Sequence, residues 1–229
     1  MLFLTGGRAL SRPPSQIAPK PKTLAMHLQG ARSSCTNLPM TAANSKQICQ
    51  LKITLRGSKP PIWRRVLVPS DTTLFQLHMI IQTVMNWGNY HLHEFRVGKS
   101  FYGIPNSEVE DDVTINEKLV RLAKVIRSSG GRFIYVYDFG DDWQHDILLE
   151  ETLPPADGVR YPVCTAGKLA CPPDDSGAIW GYQTMLEVLK HPEHSEYENI
   201  REWLGPDWDP TRFSLDEVNE ALKGIDHRP

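Results

Sequence analysis

The sequence lacks long apolar runs and the short motifs that mark the common nucleotide-binding and hydrolytic enzymes. No window approaches the roughly 20 apolar residues that a membrane-spanning helix needs, which favours a cytoplasmic protein without membrane spans. The GxxxxGK[ST] phosphate loop, GxGxxG, HExxH and GxSxG are all missing. Enzyme classes that depend on these motifs are therefore excluded.

Acidic residues are missing from the first 70 positions, although the whole chain has a formal net charge of only −2. This region carries 11 of the 25 Lys and Arg residues, and all 27 Asp and Glu residues follow it. The remaining chain therefore has an excess of 13 negative charges. Such a body repels nucleic-acid phosphates over most of its surface, which argues against a protein that coats DNA.

Cysteine is also scarce, with four residues at positions 35, 49, 164 and 171. The apolar start, residues 1–4, is too short for the hydrophobic region of a secretory signal. We therefore expect free thiols or metal ligands rather than disulfides.

Residues 1–46 combine proline-rich stretches with basic residues and show no sustained apolar periodicity. Such a segment buries too little surface to offset its ordering entropy, which predicts a disordered basic tail. The same composition is typical of an organellar transit peptide, and a misassigned start is a third interpretation because Met26 and Met40 lie downstream. The folded domain is predicted over 47–224, with a short tail at 225–229.

Alternation of apolar and polar residues predicts strands over 50–56 and 62–68, joined as a hairpin through the turn at 57–61. Thr73 and Gln76 form a predicted capping box for a helix that stops near Gly88 and Asn89. Further predicted strands cover 93–97, 100–102, 133–137 and 143–149. Predicted helices cover 119–126, 182–190, 196–204 and 214–223, the last with a Ser214–Glu217 capping box.

This order of strands followed by helices predicts an α+β fold rather than a wound parallel sheet. We expect a β-grasp-like mixed or antiparallel sheet with one packed helix. A long loop rich in Pro, Gly and Cys is predicted over 154–181, followed by a C-terminal helical cap.

Five motifs together carry a family resemblance: PIWRR at 61–65, HLHEF at 91–95, YDFGDDWQH at 137–145, CPPDDSG at 171–177 and WGY at 180–182. In order and spacing the chain resembles the plasmid pRiA4b ORF-3-like domain family over about residues 48–222. The resemblance implies a compact α+β domain and no particular activity, although some members carry a resolvase label. Resolvase chemistry needs a nucleophilic Ser or Tyr among clustered arginines, and the sequence offers no such arrangement.

The first candidate site is a zinc centre. His145 falls on the apolar face of its predicted strand, and Cys164 and Cys171 lie in the loop that follows. With Asp175 as the fourth ligand, or Asp138 or His93 in its place, these residues would form a tetrahedral Zn²⁺ site. The alternative interpretation is a core histidine and two buried thiols.

The second candidate is a cluster of carboxylates in two predicted loops. Its members are Asp138, Asp141, Asp142, Asp174 and Asp175. Converging carboxylates hold Mg²⁺ for phosphoryl transfer or shift one another's pKa for acid–base catalysis. Aspartates also stabilise tight turns through bonds to the local backbone, and the expected hairpin turn at 139–142 favours that interpretation.

The third candidate is a basic patch of Arg64, Arg65 and Lys52 near Trp63. Basic side chains interleaved with an aromatic residue contact phosphates and stack on bases. However, Arg64 and Arg65 are neighbours on a strand and therefore face opposite sides.

These patterns favour a non-catalytic binding module for a protein or small ligand. Its predicted cleft is formed by His93, Asp138, Asp141, Asp142 and Trp180, with Zn²⁺ as a candidate cofactor. One alternative is a metal-dependent enzyme acting on phosphodiesters. The other is a nucleic-acid-binding protein associated with mobile elements.

Overall fold

The computed structural model describes residues 47–225, except for residue 107 and residues 109–111. The predicted tail over 1–46 lies outside the described residues, as does nearly all of the predicted terminal tail, 226–229. Within the described part, no helix is both long and apolar enough to cross a bilayer.

Eight strands form a single sheet in the spatial order β5-β4-β3-β6-β7-β1-β2-β8. Neighbouring strands are antiparallel except for the short parallel pair of β4 and β5. The strands are β1 Ile48–Leu55, β2 Trp63–Pro69, β3 His93–Val97, β4 Ser100–Gly103, β5 Ile115–Asn116, β6 Arg132–Tyr137, β7 Trp143–Leu153 and β8 Val163–Lys168.

The described residues also form five α-helices and one short 3₁₀ helix. The α-helices are α1 Leu74–Met85, α2 Leu122–Ser129, α3 Ala178–Val188, α4 Tyr197–Leu204 and α5 Leu215–Lys223, and the 3₁₀ helix is Glu117–Leu119. This combination confirms the α+β class, whereas the β-grasp likeness stays a prediction. More helices contact the sheet than the one expected, because α2 contacts β3 and β6 and α5 contacts β8.

Alternate residues of the central strands bury one face of the sheet. Leu51, Ile53 and Leu55 of β1 are at most 1% exposed, and the intervening polar residues are only half-buried. The predicted hairpin of β1 and β2 is confirmed. Each fully buried aliphatic side chain contributes about 1.5–3 kcal/mol, so this face supplies much of the stability.

Helix α1 lies over the buried face, and both of its ends are capped. Thr73 and Gln76 form the predicted capping box. The helix ends at Met85, slightly earlier than predicted, because Asn86 adopts a left-handed conformation and turns its N–H back to the last carbonyls.

The predicted loop over 154–181 contains two regular elements. Strand β8 forms because it pairs with the free edge of β2, and its sequence VCTAGK shows no clear alternation that would have predicted it. Helix α3 begins at Ala178, four residues earlier than expected. The predicted helix 119–126 is divided into the 3₁₀ helix Glu117–Leu119 and α2.

Candidate metal centre

A buried chain of hydrogen bonds positions the loop that follows α1. Gln82 Nε2 donates to the Tyr135 hydroxyl at 2.9 Å, and that hydroxyl lies 2.8 Å from His78 Nδ1. His78 Nε2 lies 2.9 Å from Asn89 Oδ1, and the Asn89 backbone N–H donates to Gln82 Oε1 at 3.1 Å. Every bond in this chain is satisfied if His78 is neutral with its proton on Nε2. Burial lowers the pKa of His78 to about 3, which agrees with the neutral form.

His93 belongs to this interior network rather than to an open cleft. Its ring stacks on that of His78 with centroids 3.4 Å apart, and its Nε2 lies 2.9 Å from Glu117 Oε2. The Glu117 side chain is completely buried. His93 therefore holds β3, α1 and the 3₁₀ helix together.

Trp87 and Tyr137 form a second buried contact, here called the anchor, that holds the loop after α1. Their rings stack at 4.9 Å, and Trp87 Nε1 donates to the Pro172 carbonyl at 2.9 Å. Tyr90 donates its backbone N–H to the Tyr137 hydroxyl at 3.1 Å. Chiefly through burial, the pKa of Tyr137 is raised to about 12, so the hydroxyl stays protonated. The loop after α1 and the loop after β8 are thereby fixed against β6.

Three loops meet above this anchor and bring together His91, Asp138 and Asp175. His91 Nε2 lies 3.2 Å from Asp175 Oδ1 and 3.7 Å from Asp138 Oδ2. One ligand atom from each residue lies within 4.8 Å of the other two. Both aspartates adopt the left-handed conformation, with φ of 57° at Asp138 and 58° at Asp175. Non-glycine residues reach this region at an energetic cost and cluster at functional sites.

This spacing matches that of ligands around a bound transition metal. Around a tetrahedral ion, Zn²⁺–N and Zn²⁺–O bonds of about 2.0–2.2 Å place neighbouring ligand atoms about 3.3–3.6 Å apart, close to the 3.2 Å and 3.7 Å between His91 and the two aspartates. His91 Nε2 is buried and makes no hydrogen bond of good geometry despite its closeness to Asp175. Asp138 is 8% exposed, whereas the Asp175 side chain is 75% exposed, so the group opens to solvent on one side.

Two of the other carboxylates of the predicted cluster join separate loops, and the third bonds locally. Asp141 Oδ2 accepts the Gly177 backbone N–H at 3.1 Å, and Asp174 Oδ2 accepts that of Gly88 at 3.1 Å. Asp142 Oδ2 accepts from Gln144 at 2.7 Å. The turn chemistry weighed from the sequence describes Asp138, whose Oδ1 accepts the backbone N–H of Gly140 at 2.8 Å. Asp141 and Asp174 accept from distant loops instead, and one further oxygen of Asp138 converges with Asp175 on His91.

Exposed apolar side chains flank each member of the group. Tyr90 and Leu92, on either side of His91, are 80% and 64% exposed, and Phe139, next to Asp138, is 52% exposed. Trp180, five residues after Asp175, is 76% exposed.

The residues first predicted as zinc ligands do not meet in the described part of the chain. Ligand atoms of His145, Cys164 and Cys171 are absent from the converging group found among those residues. His145 is fully buried against Trp87 and Tyr135, and its nitrogens approach backbone carbonyls without forming good hydrogen bonds.

Both cysteines are buried among protein atoms. Cys171 Sγ lies 3.2 Å from Arg64 Nη2 and 3.1 Å from Met85 Sδ. Cys164 is fixed by Asn219, whose side chain bonds both its backbone N–H and its carbonyl. The alternative interpretation of a core histidine and buried thiols describes these residues.

Arg64 is buried and links several backbone segments, so it is a structural residue rather than a phosphate ligand. It is 3% exposed, and its Nε donates to the Val84 carbonyl at 2.8 Å. Nη1 donates to the carbonyls of Trp63 and Lys168, and Nη2 donates to the Leu169 carbonyl and to Cys171. All five N–H donors are used, so none is left for a nucleic acid.

Arg65 and Lys52 lie on the opposite, half-buried face. Both cations approach the Trp63 ring, at 5.3 Å and 5.1 Å from its centroid. Arg65 also forms a salt bridge with Glu150 at 2.5 Å. The Trp63 ring is therefore already covered by two of this chain's own cations, which weakens the case for stacking on a base.

Sequence reasoning missed His91 as a site residue. It lies two residues before β3, outside any periodic pattern, and its closeness to Asp175 depends on two loops folding together. The signal that marks it is the HLHEF motif, whose two histidines separate into a candidate ligand, His91, and a core residue, His93.

Comparison with known proteins agrees with the fold and with the motifs. Over 180 residues the chain is 37% identical to "Uncharacterized protein y4hQ" of Sinorhizobium fredii (strain NBRC 101917 / NGR234), covering 78% of this chain and 92% of that protein. The crystal structure of a protein of unknown function, MM3350 from Methanosarcina mazei Go1, matches with a TM-score of 0.69 and 43% identity, covering 76% of this chain and 97% of that one. The family model for the plasmid pRiA4b ORF-3-like protein matches residues 47–217. The chain therefore belongs to the plasmid pRiA4b ORF-3-like protein family.

Proposed function

We propose that this domain is a non-catalytic ligand-binding module whose centre is a divalent cation held by His91, Asp138 and Asp175. The observation that carries the proposal is the convergence of one imidazole nitrogen and two carboxylate oxygens within 4.8 Å from three separate loops. Such loops, held by a rigid sheet, are the usual place for binding residues.

The donor set favours a transition metal over Ca²⁺ or Mg²⁺. Imidazole nitrogen is a preferred ligand of Zn²⁺, whereas Ca²⁺ and Mg²⁺ take oxygen ligands almost alone. Three protein ligands leave a tetrahedral Zn²⁺ with one position for an external group. Two carboxylates neutralise the charge of the cation, so the ligand need not be an anion.

The exposed aromatic residues give the ligand a second contact. Tyr90, Phe139 and Trp180 are adjacent or near in sequence to the three proposed cation ligands and are more than half exposed. A ligand that coordinates the cation through an oxygen or nitrogen atom can cover these rings with an apolar or planar body.

Binding is favoured over phosphodiester hydrolysis for a specific reason. Two-metal hydrolases hold a pair of ions about 3.5–4 Å apart and need several uncommitted carboxylates. Here Asp141 and Asp174 already accept hydrogen bonds that hold the loops, and Asp142 accepts one from Gln144. One cation fits the donors that remain in the described loops.

The proposal is tested by titrating the EDTA-treated full chain with Zn²⁺, and separately with Mn²⁺, in a calorimeter. We expect one Zn²⁺ per chain, and an affinity at least about tenfold lower in His91→Gln and in Asp138→Asn. Asn is isosteric with Asp and keeps an oxygen for the Gly140 N–H, so the turn is preserved.

The matched control is His191→Gln. His191 lies near Glu187 and Glu193, at 3.4 Å and 3.2 Å, but the side chains are all more than half exposed. Wild-type affinity in the control together with weakened binding in the two site variants supports the proposal. Equal affinity in all four proteins, or no binding near one ion per chain, contradicts it.

A further inference from the structure

A second cavity lies apart from the proposed cation site. It has a volume of about 440 Å³ and is bounded by the turn between β1 and β2, the segment after β8, and helices α3 and α4. None of the three proposed cation ligands lines it. Its volume falls in the range of about 300–1,000 Å³ that small-molecule sites occupy.

The floor and walls of the cavity are largely apolar. Ile62 and Tyr182 line it and are 2% and 3% exposed. Leu186, Leu189 and Trp208 are only partly buried and line the walls. Side chains of this kind gain free energy when an apolar ligand body removes them from water.

The charge of the lining is of one sign. Lys59, Lys190 and Arg201 line the cavity, and no Asp or Glu does. This is unusual for a body in which acids exceed bases by 13 after residue 70.

Two of these cations have no carboxylate to neutralise them within the described residues. Arg201 donates to the backbone carbonyls of Trp208 and Pro206, at 3.4 Å and 3.1 Å. Lys59 is exposed and forms no salt bridge there. Lys190 differs, because it pairs with Glu187 at 2.6 Å, outside the lining.

We propose that this cavity binds an amphipathic organic monoanion, with its apolar body against Ile62 and Leu186 and its charged head near Lys59 and Arg201. A carboxylate head accepts hydrogen bonds from these donors, which are stronger than bonds between neutral groups. Burial raises the pKa of Tyr182 to about 12, so its hydroxyl stays protonated and never repels the anion.

The test uses three probes with the same ten-carbon chain: decanoate, decanol and decylamine. Their affinities for the full chain are measured by displacement of the fluorescent anion 1-anilinonaphthalene-8-sulfonate and by calorimetry. We expect decanoate to bind at least about fivefold more tightly than decanol, because one favourable charge contact contributes about 1 kcal/mol, and decylamine to bind most weakly.

Two variants and one control locate the site. Leu186→Trp fills the cavity and abolishes decanoate binding, and Lys59→Glu weakens it about fivefold or more while leaving decanol binding unchanged. Lys99→Glu makes the same charge change on the exposed turn between β3 and β4 and leaves decanoate binding unchanged.

Circular dichroism shows whether each variant is folded, and if Leu186→Trp does not fold, Lys59→Glu decides the result. Similar affinities for decanoate and decanol overturn the proposal. Binding in Lys59→Glu that equals the wild type, or that falls equally in Lys99→Glu, also overturns it.

Discussion

The imidazole Nε2 of His78 lies 2.9 Å from the side-chain oxygen of Asn89, and this bond connects the helix α1 to the loop that carries His91. The same ring accepts from Tyr135 on its other nitrogen and stacks on His93. The position of the proposed cation ligand therefore depends on a hydrogen-bond chain in the core. A change at His78 should therefore alter cation binding, although the His78 ring does not contact the proposed ligands.

His78→Phe should lower both stability and cation affinity. The phenyl ring preserves stacking but leaves the Asn89 oxygen without its donor and the Tyr135 O–H without its acceptor, at a cost of about 1–3 kcal/mol. Urea denaturation measures the stability, and Zn²⁺ titration measures the affinity. His191→Phe, at an exposed position, should change stability by less than about 0.5 kcal/mol. Full cation affinity in His78→Phe would show that the loop is held by other contacts.

Stability should fall as the pH decreases below about 6.5. Burial lowers the pKa of His78 and of His145 to about 3, whereas an unfolded histidine has a pKa near 6.5. Between these values the unfolded chain binds more protons than the folded one. The stabilisation is therefore complete above pH 6.5 and is lost toward pH 3, by at most about 1.4 kcal/mol per pH unit for each histidine.

His145→Leu tests this pH dependence at one residue. Its ring makes no good hydrogen bond, so the change should alter stability at pH 7.5 by less than about 1 kcal/mol. Between pH 6 and pH 4.5, the slope of the unfolding free energy should decrease by about 1.4 kcal/mol per pH unit. Urea denaturation at several pH values gives both quantities, with His191→Leu as the control. An unchanged slope would mean that His145 is protonated in the folded protein.

Arg64→Lys should lower the free energy of unfolding far more than Arg65→Lys does. Lysine cannot replace the five donors that join β2 to Val84, Lys168 and Leu169, so we expect a loss of about 3 kcal/mol or more. Arg65 forms a partly exposed salt bridge, and its conservative change should cost less than about 1 kcal/mol. Thermal and urea unfolding of the two variants makes the comparison. Equal losses of unfolding free energy in the two variants would contradict this structural role of Arg64.

The three described cysteines should resist alkylation in the folded protein and should not be needed for cation binding. Burial raises the pKa of Cys49 to about 11 and raises the pKa of Cys164 and Cys171 as well. In a Cys35→Ser background, iodoacetamide should modify them at least about a hundredfold faster in urea than in buffer at pH 7.5.

The Cys164→Ala/Cys171→Ala double variant should keep its affinity for Zn²⁺. Neither sulfur belongs to the converging group in the described residues. A large loss of affinity in a folded double variant would favour the thiol-based centre first expected from the sequence over the one proposed here.

The strongly periodic strands and helices were predictable because the sequence patterns that specify them span only a few neighbouring residues. The hairpin of β1 and β2 and the cap of α1 depend on alternation and on residues three positions apart. Strand β8 was not predictable in this way, because it is stabilised by an edge of β2 about 100 residues earlier in the chain. Its Gly167 also lies under the Phe213 ring, where a Cβ atom would come within 2.5 Å.

The candidate site was predicted in part. Asp138 and Asp175 were among the expected ligands, and the loop after the last long strand does fold back toward the turn that contains Asp138. The sequence pointed to His145, whereas His91 is the histidine of the converging group. His145 has the orientation expected from its strand, but that direction leads into an apolar interior, whereas His91 lies in a loop whose path no local pattern describes.

By itself, the sequence determined the α+β class, the family, the main strands and helices, and the acidic character of the body. The family follows from the resemblance of its motifs, and the other properties follow from periodicity, capping and composition, which act over a few residues at a time. Only the tertiary structure decided which polar side chains are buried in the core and which converge in the candidate site. Burial and hydrogen-bond partners depend on residues far apart in the chain, so they turned Arg64 and His93 inward and brought His91 to two aspartates from other loops.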